Sequence, residues 1–251
     1  MNTFKTSDGL NLAWYEWGSA EGPPVILHHG FGANAELNWV GAGIAKALES
    51  AGRKVVAIDA RGHGRSDKPH DPALYGESRM AADVSELADH IGAESFDLVG
   101  YSMGAIVSLI CATREPRIRR LVIGGVGDGI LEMGGVDTRV VDNKAIIAAL
   151  LAESAADAPA AARGFRLLAD ATGGDRKALA AQAASVHAER IPLEKITAQA
   201  MVLVGVDDPL AARPERLAQA VAGARLVRTP GDHMAAVRTP EFTNALVEFL
   251  A

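Results

Sequence analysis

The stretch LVGYSMGA sets Ser102 between Gly100 and Gly104, after a short apolar run and before the helical pattern AIVSLICAT. A Gly-x-Ser-x-Gly sequence between a strand and a helix makes a nucleophile elbow, in which a sharp, strained turn pushes the serine hydroxyl into a cleft. Side chains at 100 and 104 would collide with the neighbouring strand and helix, so both positions are glycine. The turn also sets the backbone N–H of Met103 at a helix N-terminus, where it can donate to a developing oxyanion. The chemistry implied is attack on a carbonyl carbon. Five residues of this pattern also arise by chance, and only the strand and helix on the correct sides separate the two readings.

Those flanking elements recur along the chain. LNLAWYEW, VILHHG, KVVAID, FDLVGY and RLVIGG are short apolar runs rich in β-branched residues and bounded by glycine or charge, as strands are. Between them lie helical spacings: Met80, Val84, Leu87 and Ile91 share one face of a helix over 78–91. Such alternation predicts an α/β fold with a mostly parallel sheet of about eight strands and helices on both faces. Ser7, Asp8 and Gly9 form a turn signal that makes the first two strands, 3–6 and 10–17, an antiparallel hairpin at the sheet edge.

From about 130 to 197 the pattern is alanine-rich and helical, with no convincing strand. Pro159 follows Asp157 as cap and first turn of a helix, and Gly173 and Gly174 separate two helices. Strands resume with AMVLVG at 200–205 and ARLVRT at 224–229, and a helix near 240–250 ends the chain. The expected organisation is a core domain of residues 1–129 and 198–251, interrupted by a small helical cap at 130–197.

With the elbow, three further segments make the chain resemble the α/β-hydrolase family over nearly its whole length outside the insertion. HHGFGAN at 28–34 looks like the family's oxyanion loop, which implies Phe31 N–H as a second oxyanion donor beside Met103 N–H. DARGHGRSDKP at 59–69 looks like the loop after the next strand, and PGDHMAAV at 230–237 resembles the segment that bears the catalytic histidine, here His233. In that family the triad runs serine, acid, histidine along the chain. GVDDP at 205–209 supplies the acid in the right interval: Asp208 is the fourth residue of a similar GxxD pattern, Asp207 is its close rival, and Asp128 is a third candidate, since some members carry the acid after the preceding strand. Relatives often have proline where this chain has Ala200, so the alignment rests on the aspartates. The resemblance implies that His233 takes the proton of Ser102, Asp208 orients the imidazole, and water then cleaves an acyl-enzyme.

Other chemistry-bearing residues have plainer readings. His28, His29 and His63 are expected to be hydrogen-bonding residues that shape loops; with Asp59 they show no metal-ligand spacing, so no metal is expected. HHGFGAN lacks the third glycine and the acidic residue of a dinucleotide fingerprint, and no cofactor is implied. Cys111 reads as a small packed residue. Phe31 and Trp39 are candidates for the wall of an acyl pocket, and Arg139, Arg163, Arg166 and Arg190 of the insertion are expected to be solvated, one of them a candidate for an anionic substrate group.

Composition narrows the partners. With 251 residues, 49% of them apolar, a net charge of −6 and no basic cluster beyond RIRR at 117–120, the chain has a core and no footprint for nucleic acid. A single cysteine, no signal-peptide pattern and no apolar run long enough for a bilayer predict a cytoplasmic protein that avoids the membrane. Several reactions share this scaffold. Epoxide hydrolases and haloalkane dehalogenases use aspartate where this chain has Ser102 and carry an HGxP loop that is absent here; the HGWP-like loop of haloperoxidases and perhydrolases is missing too. The favoured expectation is a serine hydrolase of a small-molecule carboxylic ester or lactone with a small to medium acyl group. The alternatives are a thioesterase or carbon–carbon bond hydrolase on the same triad and, in another class, a slow-turnover ligand receptor signalling through the insertion.

Overall fold

In the computed structural model, which describes residues 1–140 and 142–251, eight strands form one sheet. They are β1 (Asn2–Lys5), β2 (Asn11–Trp17), β3 (Val25–His28), β4 (Val55–Ile58), β5 (Phe96–Tyr101), β6 (Ile118–Gly124), β7 (Gln199–Gly205) and β8 (Arg225–Thr229). The helices are α1 (Ile44–Ser50), α2 (Glu77–His90), α3 (Met103–Ala112), α4 (Gly129–Met133), α5 (Asn143–Leu151), α6 (Arg163–Thr172), α7 (Arg176–Ala183), α8 (Pro214–Ala220) and α9 (Pro240–Leu250).

Strand order is β1-β2-β4-β3-β5-β6-β7-β8, with the β1–β2 and β2–β4 pairs antiparallel and the other five pairs parallel. The fold class and the edge hairpin agree with the sequence pattern. β3 lies between β4 and β5, so the chain leaves it first to one side and later to the other, which opens a crevice beyond the carboxyl ends of β3 and β5. Register pairs His28 with Gly100, so the HHGF and YSMG turns leave the sheet at the same level.

Alternation along the strands sorts the core into two layers. Ile26, Val56, Leu98, Leu121 and Val202 face one side with α2, α3 and α8, whereas Val25, Val55, Val99, Val122 and Met201 face the other with α1 and α9. All ten residues of α3 are buried, as fits the helix that carries the elbow through the centre of the molecule. Helix α2 buries Met80, Val84 and Leu87 as the spacing predicts, but it ends at His90, with Ile91 its capping residue.

Between β6 and β7, among the described residues, the regular elements are helices and turns. Helices α5, α6 and α7 enclose a small core of their own, made of Ile146, Leu150 and Leu179 with Ala149, Ala162 and Ala169, where methyl side chains let the helices approach closely. One local expectation needs correcting. Pro159 is the residue before a short 3₁₀ turn at Ala160–Ala162, without a side-chain cap, and α6 starts only at Arg163; Asp157 instead takes the hydroxyl of Ser154 at 2.6 Å. Among the described residues, no helix is long and apolar enough to cross a membrane.

Candidate active site

The elbow is built as its sequence requires. Ser102 has φ 56° and ψ −117°, a region that costs energy for a residue with a side chain, and neighbours hold it there: its N–H donates to Gly124 O at 2.8 Å and its carbonyl accepts from Ala105 N at 2.9 Å. A Cβ on Gly100 would overlap the carbonyl oxygen of Gly104 and Ser108 Oγ, and one on Gly104 would overlap the carbonyl oxygen of His28. Close approach, not freedom of φ, demands glycine at both positions.

His233 lies in the turn between β8 and α9. The carboxylate of Asp232 accepts from the N–H groups of Met234 and Ala235, both at 2.9 Å, and so pins the turn. His233 Nε2 is 3.0 Å from Ser102 Oγ, and Nδ1 is 2.8 Å from Asp208 Oδ2. A carboxylate only accepts, so the Nδ1 proton points to Asp208 and Nε2 is free to receive the serine proton.

Asp208 follows β7, its side chain wholly buried and its backbone extended at φ −78°, ψ 110° ahead of Pro209. Its second oxygen accepts from Leu210 N at 2.9 Å, which leaves little freedom to rotate. The rival acids lie elsewhere. Asp207 is exposed, and its N–H donates to Gly231 O at 3.2 Å. The buried carboxylate of Asp128 pairs with Arg213 and, at 2.8 Å, with Arg216.

The HHGF loop lies against the elbow, since a Cβ on Gly30 would come 3.3 Å from Ser102 Cβ. Among the described residues, neither Phe31 N–H nor Met103 N–H has an acceptor, although both residues line the space above Ser102. Three buried histidines shape the loop. His29 Nδ1 donates to Gly30 O at 2.8 Å and Nε2 accepts from Ala60 N at 3.0 Å; His63 Nδ1 donates to Arg61 O and Nε2 accepts from Gly32 N, each at 3.0 Å. His28 Nδ1 donates to His29 O at 3.2 Å. Burial disfavours their cations and lowers His28 and His29 to about 4 and His63 to about 3, so all three are neutral structural groups. Asp59 likewise serves the backbone, accepting from the N–H groups of Ala35 and Arg65, both at 2.8 Å.

Above Ser102 lies a cavity of about 380 Å³, with walls such as Phe31, Ile106, Ile146, Phe165 and Leu168 drawn from both the sheet loops and the helices between β6 and β7. Trp39 is not among them: it is wholly buried in the layer with α1 and α9, in the cluster that also holds Ile44 and Leu246. Of the four arginines expected in water, Arg139, Arg163 and Arg190 are exposed and Arg166 departs. Arg166 is buried, holding Asp170 at 2.9 Å and the carbonyl oxygens of Ala152 and Glu153, so it braces α6 against the end of α5. Arg139 pairs with Asp137 and Glu132, Arg190 pairs with Glu194, and Arg163 donates to the carbonyl oxygens of Ala156 and Ala158. The arginine at the cavity is Arg238. Burial pushes the Cys111 thiol up to about 12, which leaves it inert. Among the described residues, no group of three or more histidine, cysteine, aspartate or glutamate side chains is arranged to hold a metal ion.

Three buried polar residues of the cavity wall escape a reading of the sequence: Asn38, Glu77 and Gln182. Asn38 Oδ1 accepts from Gly30 N at 3.0 Å, while its Nδ2 has no partner among the described residues. Position 77 reads as an ordinary acid at a helix start and 182 as a polar residue in an alanine run. Neither carries a local signal of burial.

Comparison with known proteins adds a separate line. A family model described as the alpha/beta hydrolase fold matches residues 23–137. The non-heme chloroperoxidase of Streptomyces lividans is 37% identical over 128 residues, 49% of this chain and 44% of that protein. The sn-1-specific diacylglycerol lipase of Xenopus tropicalis is 40% identical over 103 residues, 40% of this chain and 30% of that protein. The chain thus spans under half the length of these curated relatives. Among solved structures, a hydrolase from Pseudomonas aeruginosa superposes with a TM-score of 0.82 at 30% identity, covering 100% of this chain and 98% of that one.

Proposed function

Since this chain belongs to the α/β-hydrolase fold family, we propose that it is a serine hydrolase cleaving carboxylic esters or lactones of small to medium acyl size. The observation that carries the reading is the hydrogen-bonded line Ser102 Oγ, His233, Asp208 at the floor of an apolar cavity.

Ser102 Oγ attacks the carbonyl carbon while His233 Nε2 takes its proton, and Asp208 stabilises the imidazolium through Nδ1–H. The substrate carbonyl oxygen becomes an oxyanion between the free N–H groups of Phe31 and Met103. Removal of one such donor typically costs about 3 kcal/mol in the transition state. His233 then protonates the leaving alcohol, and a water molecule activated by the same nitrogen cleaves the acyl-enzyme. No step needs a metal or cofactor. For a lactone, the leaving alcohol stays tethered to the acyl group, and the product is a hydroxy acid.

Residues 130–197 act in this reading as the cap that closes the acyl pocket, with 1–129 and 198–251 as the catalytic core. A reducing cytoplasm suits a chain whose one thiol is buried. Covalent labelling tests the assignment: a fluorophosphonate probe modifies Ser102, located by mass spectrometry, and Ser102→Ala takes up none. Undiminished labelling of the alanine variant removes the nucleophile.

A further inference from the structure

Besides Asn38, two buried polar side chains of the cavity wall, Gln182 and Glu77, offer it hydrogen-bonding groups. Gln182, on α7, is 1% exposed; its amide nitrogen lies against the sulfurs of Met80, at 3.9 Å, and Met103, and its Oε1 has no partner among the described residues. Thioether sulfur accepts weakly, so the amide is poorly satisfied whichever way it is turned. Glu77, at the start of α2, is 3% exposed, and its Oε2 accepts from His187 N at 2.6 Å.

Met80 is three residues beyond Glu77 and so shares its face of α2. The contact of Gln182 with Met80 therefore brings the amide to the same flank of the cavity as the carboxyl. Burial raises the Glu77 pKa and favours its neutral, donating form. Packing alone does not call for an amide at 182, where Ala178, Leu179, Ala180, Ala181 and Ala183 of the same helix are all buried. Buried polar groups are kept where they find partners.

We propose that Gln182 and Glu77 form a polar subsite for a hydroxyl group of the substrate, which makes hydroxylated esters or lactones the preferred class. A hydroxyl both donates and accepts: its hydrogen goes to Gln182 Oε1 and its oxygen receives the carboxyl proton of Glu77. A methylene offers neither, and a carboxylate cannot donate to the amide oxygen. The turnover part of the test rests on the reading of Ser102 as nucleophile; the binding part does not.

The 251-residue chain is assayed on p-nitrophenyl hexanoate and its 3-, 4-, 5- and 6-hydroxy derivatives. At least one hydroxy ester shows kcat/KM about tenfold or more above hexanoate, and Gln182→Met brings that ratio close to one. Glu77→Gln, which keeps an acceptor for His187 N–H and a donor for the hydroxyl, holds the ratio within about threefold. Ser102→Ala is titrated calorimetrically with ethyl hexanoate and its hydroxy derivatives, which reads the subsite without turnover. Equal kcat/KM for plain and hydroxy esters in the unaltered chain overturns the subsite, as does a preference that survives Gln182→Met. If no ester turns over but Ser102→Ala binds a hydroxy ester about tenfold more tightly, the hydrolase reading falls and the subsite stands. If turnover is absent and binding shows no preference, both fall.

Discussion

The phenol of Tyr101 donates to the main-chain carbonyl oxygen of His233 at 2.6 Å, and the two rings lie 5.3 Å apart. Tyr101, the residue before Ser102, therefore also anchors the loop that carries His233. Burial raises the Tyr101 pKa, so the phenol stays a neutral donor throughout the working range. Tyr101→Phe keeps the ring and removes the tether. Turnover of p-nitrophenyl butyrate is expected to fall about tenfold with KM changed less than about threefold, because the loss concerns the position of His233 and not substrate contact. A change confined to KM would assign Tyr101 to the pocket instead.

The three aspartates separate in one experiment. Asp208→Asn should lower kcat by about four orders of magnitude, as loss of the orienting acid does in other triads. Asp207→Asn, altering an exposed side chain, should stay within about threefold of the unaltered chain. Asp128→Asn should cost stability and leave most of the turnover, since Asp128 binds Arg213 and Arg216, which are about half exposed and stay solvated when it is neutralised. A loss of about 1 kcal/mol in urea unfolding is expected. Near-normal turnover in Asp208→Asn, with collapse in either of the others, would move the acid.

Acyl length should be limited by the cavity. A volume of about 380 Å³ lies at the small end of ligand pockets and suits butyrate better than palmitate. kcat/KM is expected to peak between the acetate and hexanoate p-nitrophenyl esters and to fall at least about tenfold by palmitate. Higher efficiency on palmitate than on butyrate contradicts this pocket reading.

The neutral histidines of and behind the HHGF loop make stability depend on pH. Unfolded, each titrates near 6.5, whereas folded His28 and His29 are lowered to about 4 and His63 to about 3. Below 6.5 the unfolded chain binds more protons, so stability falls as pH drops toward 4 and is level above 7 as far as these groups are concerned. Between pH 7.5 and 5 each that stays neutral contributes a loss on the order of 2 kcal/mol, which urea titrations at the two pH values measure. His63→Gln should flatten part of that slope. An unchanged slope in that variant would show that His63 takes up its proton in the folded state too.

What could be read from the sequence was local. A strand, five residues and a helix define the elbow, because the backbone geometry that exposes Ser102 is encoded within one turn by Gly100 and Gly104. The parallel sheet and the edge hairpin came from strand periodicity, and Asp208 and His233 came from motif order along the chain. The GxxD pattern favours Asp208, but on the residues alone Asp207 and Asp128 stay open as rivals, since all three follow a strand. Three-dimensional packing separates them: Pro209 and Leu210 N–H hold the Asp208 carboxylate toward His233, while Asp128 is drawn to Arg213 and Arg216 at the start of α8. Trp39 and Arg166 show the same limit, an aromatic expected at the pocket and an arginine expected in water, both of which the fold buries elsewhere. Gln182 is the furthest case. It meets Met80 and Met103 across separations of 102 and 79 residues, and its surroundings are decided by how α7 docks on α2 and α3, a question of shape and burial between helices that no spacing within α7 records.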